Sequence, residues 1–122
     1  MRKPFIAGNW KMFKTPSQTA QLAEEIKKRL GDVSDIEIAV FPPFLSVSKA
    51  VGVLRDCNIM VGVQNMHYED EGAFTGEVSA PMIKEAGATL VILGHSERRN
   101  IFGESNELIN KKLKKAVSSG LR

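Results

Sequence analysis

Residues 88–99 read ATLVILGHSERR, and the order of residue types along this stretch decides the fold class. Thr89–Leu93 is a short uncharged run of branched and apolar residues, the composition of a strand covered on both faces in a parallel sheet. Gly94 breaks the run. His95 follows at the strand's C-terminal end, and Ser96 is placed to cap a helix beginning at Glu97, which sets the imidazole against the positive end of that helix. Proteins of the α/β class put their chemistry at such junctions. The histidine is pulled two ways, because the helix N-terminus disfavours imidazolium while a carboxylate such as Glu97 or Glu104 favours it. A capping or packing role satisfies the same spacing, so this stretch alone leaves both readings open.

On either side of it, strand patterns alternate with helix patterns. Phe5–Asn9 reads as a strand and Lys11–Lys14 as the loop after it. Thr15, Pro16 and Gln18 form an N-cap, an N1 proline and a capping-box partner for a helix that stops at Gly31, with Ala20, Ala23, Ile26, Lys27 and Leu30 on its buried side. A strand over Ile36–Val40 ends at Phe41, Pro42 and Pro43, which cannot continue the pairing. Ser46 opens a helix to Leu54, and Ile59–Val63 is a third strand. Gln64–Val78 is then a long connection rich in acids and glycines, of a length that compact domains reserve for function or disorder. Ser79 and Pro81 start a short helix ended by Gly87. Beyond His95, Ser105 caps a lysine-bearing helix that Gly120 ends, and Leu121 with Arg122 begins a further element.

Composition bounds the rest. The 122 residues are 43% hydrophobic and 25% charged, which suits one globular domain. The start, MRKPFIAGNWKM, has too short an apolar run and no cleavage pattern, so it reads neither as a signal peptide nor as a membrane span. The single Cys57 cannot form an intrachain disulfide, and the expected location is the reducing cytoplasm. Of the net charge of +3, Leu108–Arg122 carries +5 through Lys111, Lys112, Lys114, Lys115 and Arg122, leaving −2 elsewhere. Ile109, Leu113, Ala116 and Val117 recur at helical period, so the lysines read as a solvated face rather than a nucleic-acid patch, for which no stacking aromatic is present. His67 stands at no metal-ligand spacing from a cysteine or a second histidine, so no metal site is expected.

Four strand–helix units imply a parallel sheet with right-handed crossovers, and two architectures share that pattern. A doubly wound sheet would be complete near this length, whereas a (β/α)8 barrel would be half present.

Longer motifs separate the two. GNWKM at Gly8–Met12, FPPF at Phe41–Phe44, QNMHYEDEGAFTGEVS at Gln64–Ser79, and GHSERR at Gly94–Arg99 followed by FGE at Phe102–Glu104 resemble the triosephosphate isomerase family in order and spacing. The resemblance covers essentially the whole chain and falls on the amino-terminal half of that enzyme. It implies an α/β fold, half of a (β/α)8 TIM barrel with four parallel strands each followed by a helix, occupying residues 1–122 as a partial domain that ends at the start of a fifth strand.

The resemblance further implies an isomerase of glycolysis and gluconeogenesis, acting on a small phosphorylated triose without a cofactor. Asn9 and Lys11 match the amide and cation beside the substrate's oxygens and phosphate, and His95 matches the electrophile. The resemblance also implies that this histidine is kept neutral by a helix N-terminus. Glu97 is implied as a partner that holds Lys11. Thr75 matches the tip of a loop that reaches a neighbouring subunit, which points to a homodimer through Gln64–Ser79 with Met66, Tyr68 and Phe74 as apolar contacts. Arg98 and Arg99 read as salt-bridge and packing residues, and Trp10 as packing beneath the loop.

The family's general base is a glutamate on a later loop, and no carboxylate of these residues fills its place convincingly. Two other readings stay open at this point. A flavodoxin-like binding domain would want an acidic cluster after the first strand and an aspartate ending the third, where Asn9 and Gln64 stand. The other is a half-barrel scaffold whose role is assembly.

Overall fold

The caps that the sequence spells out at Thr15, Ser79 and Ser105 are formed in the computed structural model, which describes residues 1–122. Helix α1, Pro16–Leu30, follows strand β1, Phe5–Asn9. At its start Thr15 Oγ1 accepts from the Gln18 N–H at 3.3 Å, and Gln18 Oε1 accepts from the Thr15 N–H at 3.0 Å. Strand β2 is Glu37–Phe41, one residue later than its apolar run suggests, because Phe41 still pairs with Asn9 before the prolines intervene. A 3-10 turn at Phe44–Ser46 leads into α2, Val47–Leu54, so Ser46 sits ahead of the helix without a capping bond. Strand β3 is Ile59–Val63, and α3 is Ala80–Glu85 with Ser79 Oγ accepting from the Met82 N–H at 3.4 Å. Strand β4, Leu90–Val91, is followed by a short α4, Ser96–Asn100, and by α5, Asn106–Ser118, capped by Ser105.

All pairings are parallel, in the order β1-β2-β3-β4. A flavodoxin-like sheet would place β1 between β2 and β3, with the strand order reversing there. The sequential order therefore excludes the doubly wound alternative and gives a half barrel.

The two faces of the sheet are unequally filled. Ile38, Val40, Ile59, Val61 and Val63 pack against Ala23, Val47, Ala50, Leu54, Ile83 and Ala116 of the helices. On the inner face Ala39, Phe41 and Leu90 form a small cluster with Met60 and Ile92. Phe41 lies so close over Gly62 that a Cβ there would stand 2.3 Å from its ring, so a side chain at that position would displace the buried ring. Phe5 and Ile6 of the edge strand β1 are exposed. Beside β4, Arg122 donates its N–H to Thr89 O at 3.1 Å and accepts from the Val91 N–H at 2.8 Å. Its guanidinium holds both oxygens of Glu37 at 3.1 and 3.0 Å, and that contact keeps the Glu37 carboxyl below its ordinary range.

Several expectations are corrected here. Only Leu90 of the Thr89–Leu93 run is buried, and the regular strand is two residues long. In α1 the buried row runs through Thr19 and Ala23 with Ile26 beside them, and Leu30 is exposed. In α5 the buried residues are Ile109, Lys112 and Ala116, while Leu113 and Val117 are 51% and 68% exposed. Lys112, 2% exposed, enters the interior because Glu104 pairs with its ammonium and Asn65 Oδ1 accepts from it at 3.0 Å. A buried charge is tolerable only with such partners. The helix therefore turns its apolar Leu113 and Val117 outward.

The Gln64–Ser79 connection contains no strand, and the His67 N–H donates to Val78 O at 2.8 Å across its stem. His67 is buried between Tyr68 and Phe74, with ring centroids 4.4 and 4.2 Å away. Met66, expected as an intersubunit contact, is 1% exposed and belongs to the main core of its own chain. A thioether so placed has no free surface to offer a partner. Phe74 is exposed and Tyr68 half-buried. Lys115 at 2.7 Å from Asp70 and Lys111 over the Tyr68 ring fasten this loop to α5. No helix is long and apolar enough to cross a membrane.

Candidate functional site

At the C-terminal ends of the strands, the loop after β1 meets the segment after β4 across a cleft of about 380 Å³ lined by Asn9, Lys11, Gln64, His95 and Glu97 among others. This is within the range of small-molecule sites. β1 delivers Asn9 to the rim. Its Oδ1 accepts from the Lys11 N–H at 2.9 Å, and Lys11 adopts φ +52°, a conformation uncommon for a residue with a side chain. From there the Lys11 ammonium reaches Glu97 Oε1 at 2.6 Å.

His95 is thrown over the cleft by Gly94, whose φ of +63° supplies the turn after β4. The cap of α4 is His95 itself and not Ser96: its Nδ1 accepts from the Glu97 N–H at 3.1 Å, and Ser96 is the first helical residue. An imidazole nitrogen can accept a hydrogen bond as a serine oxygen does, and the turn at Gly94 brings the ring into place. A nitrogen that accepts from a backbone N–H carries a lone pair there, so the geometry assigns the proton to Nε2 and a neutral ring. Glu97 Oε2 lies 3.6 Å from the same Nδ1, too far for a hydrogen bond.

The Lys11 ammonium, hydrogen-bonded to Glu97, holds that carboxyl below its ordinary range against an opposing effect of burial, and the Lys11 charge acts in the same direction as the hydrogen bond. A carboxyl lowered in the folded state contributes stability above its unfolded value, and this is lost as pH falls through the folded value. The denaturation midpoint of the chain is therefore expected to exceed that of Glu97→Gln by a constant margin above about pH 6, shrinking as the medium is acidified. Glu97→Gln and Lys11→Met unfolding curves across pH check this, and in the Lys11→Met background the margin should nearly vanish.

The cleft also contains Glu77, whose Oε1 lies 3.5 Å from His67 Nδ1. Thr75 stands exposed at the loop tip, while its neighbours Gly76 and Glu77 line the cleft of the same chain. Trp10 packs on the main core. Arg98 lies over the Phe102 ring and 3.4 Å from Glu104, and Arg99 donates to Gly94 O at 2.8 Å and to Asn106 Oδ1 at 2.5 Å.

Two features escaped the sequence reading. Gln64, the residue after β3, donates from Nε2 to Lys11 O at 2.9 Å and to Phe41 O at 2.7 Å. Its place at a strand's C-terminal end was a signal for it. The buried network of Arg98, Glu104, Lys112 and Asn65 had none, since nothing in the lysine-rich segment distinguishes Lys112 from its neighbours.

Comparison with known proteins agrees with this geometry. The family profile described as triosephosphate isomerase matches residues 4–122. A triosephosphate isomerase of Carboxydothermus hydrogenoformans is 55% identical over 99% of this chain and 48% of its own length. One from Caldanaerobacter subterraneus subsp. tengcongensis is 48% identical over 100% of this chain and 49% of its own. The crystal structure of triosephosphate isomerase from Bartonella henselae superposes with a TM-score of 0.90 at 41% identity, over 98% of this chain and 49% of that one. The chain thus spans about half the length of the relatives it matches.

Proposed function

The chain belongs to the triosephosphate isomerase family, and on that premise we propose that its cleft is the anchoring and electrophilic half of an isomerase site. The reaction is the interconversion of dihydroxyacetone phosphate and D-glyceraldehyde 3-phosphate through an enediolate. It needs no cofactor: a proton leaves the carbon beside a carbonyl and negative charge grows on oxygen. Fixed donors that meet this charge stabilise the transition state more than the ground state. Asn9 supplies an amide and His95 a neutral N–H donor to that charge, while Lys11, held in place by Glu97, is the cation that anchors the substrate's phosphate. The observation that carries the reading is the His95 ring capping α4 through Nδ1 while it lines the same cleft as the Lys11–Glu97 pair.

A general base must come within hydrogen-bond reach of the proton it removes. Of the carboxylates in the cleft, Glu97 is engaged by Lys11 and Glu77 faces His67. We assign the base to sequence outside these 122 residues, which makes residues 1–122 a partial barrel domain. In the complete enzyme the Gln64–Ser79 loop pairs two subunits through Tyr68, Phe74 and Thr75, in the cytoplasm, with Met66 supporting the loop from within.

Mixing this chain with the carboxy-terminal half of the Carboxydothermus relative tests the reading. Isomerase turnover should appear on mixing and vanish when the chain carries Lys11→Met or His95→Ala. Turnover indifferent to both substitutions would overturn it.

A further inference from the structure

We propose that Gln64 is a positioning residue for Lys11: its amide NH2 donates to two backbone carbonyls at once, Lys11 O and Phe41 O, and fixes the loop after β1 in the conformation that carries the ammonium to Glu97 and the cleft. The functional meaning rests on the isomerase reading above, but the positioning can be tested without it.

Three strand ends converge on this point. Phe41, the last residue of β2, accepts through its carbonyl from the Trp10 N–H at 3.0 Å as well as from Gln64 at 2.7 Å. Gln64 follows Val63 directly, so the paired backbone of β3 sets where its side chain begins. Lys11 is in turn held on both of its peptide groups, its N–H by Asn9 Oδ1 at 2.9 Å and its carbonyl by Gln64 Nε2 at 2.9 Å. The left-handed region is uncommon for a residue with a Cβ, so two hydrogen bonds that hold Lys11 at φ +52° oppose its relaxation toward the right-handed or extended regions. Relaxation would swing a flexible side chain away from Glu97.

The chemistry demanded at position 64 is narrow. Two carbonyl oxygens converge there, so the group must offer two hydrogens, which the amide NH2 does. A glutamate would bring a carboxylate against both oxygens, an asparagine falls one methylene short, and an apolar residue leaves Lys11 O without this donor and Phe41 O with the Trp10 N–H alone.

The test is a coupling measured on the whole chain labelled with 13C at glutamate carboxyls. In the native chain Glu97 titrates below its ordinary range because Lys11 is beside it. Gln64→Met should raise the Glu97 titration as far as Lys11→Met does, and the double variant should add nothing further. Should Gln64→Met not fold, Gln64→Asn gives the same readout with a polar group retained. A Glu97 titration left low by the folded Gln64 variant, with Lys11→Met raising it, would overturn the proposal.

The functional arm uses the chain mixed with the complementary half. There Gln64→Met should raise KM for the phosphorylated triose by about tenfold and change kcat less, as loss of a positioned anchor does. A role confined to folding would lower the active fraction and leave KM unmoved. Titration coupling without any KM change would keep Gln64 as the support of Lys11 and overturn Lys11 as substrate anchor, so failure of the isomerase reading is told apart from failure of the positioning.

Discussion

Lys112→Ala is expected to destabilise the chain by about 3–5 kcal/mol, the cost of leaving a buried charge without its partner. Against the roughly 5–15 kcal/mol of an ordinary domain this is a large fraction of the whole. The loss falls on Glu104, which is 8% exposed and has Arg98 Nε 3.4 Å away as its remaining cation. Asn65 Oδ1 loses its donor at the same time, and Asn65 belongs to the stem of the long loop. Glu104→Ala should cost a comparable amount by stranding Lys112. The double replacement Glu104→Leu with Lys112→Met should cost less than either single loss, because a buried pair gives up much of its attraction to desolvation and an apolar pair of similar volume restores packing. Denaturant midpoints of the three variants at constant slope measure this.

His95→Asn should separate the two duties of that residue. Asparagine is among the best N-capping side chains, and its oxygen can accept from the Glu97 N–H as Nδ1 does, so α4 and the unfolding midpoint should change little. The ring's Nε2–H, the donor that the proposed mechanism directs at the developing oxyanion, is lost. Removing one such donor costs about 10²–10³-fold in kcat. In the mixed enzyme His95→Asn is therefore expected to lower kcat by that order with KM changed only a few-fold, the pattern of an interaction made in the transition state. A kcat drop matched by a falling midpoint would show that capping, not chemistry, was the residue's contribution.

How far the sequence could be read depended on whether a signal was local. β1 and β3 carry their own apolar runs, and Thr15, Ser79 and Ser105 bond to backbone groups within the first turn of their helices, so these were legible. The Gly94–Glu97 turn was legible as a site, but the cap went to Ser96 because serine is the commoner capping residue. Lys112 was not legible: its partners Glu104 and Asn65 are brought to it by the packing of α5 against the loop and the β4 end. Met66 reads as an exposed loop residue until the loop's stem is seen to close over the core. The strand order, which decided between two architectures, leaves no mark in local periodicity and came instead through motifs spread over the whole chain.

The central claim is that these residues supply the anchor and the electrophile while the proton is taken by a carboxylate outside them. Solvent deuterium exchange into dihydroxyacetone phosphate reads that step directly, because an abstracted proton equilibrates with water whether or not isomerisation is completed. In D2O the purified chain alone should incorporate no deuterium at the carbon beside the carbonyl above the buffer background. The same chain with the complementary half should incorporate it at a rate that falls with His95→Asn. Deuterium incorporation by the chain alone, abolished by Glu97→Gln, would contradict the account and place the base within residues 1–122.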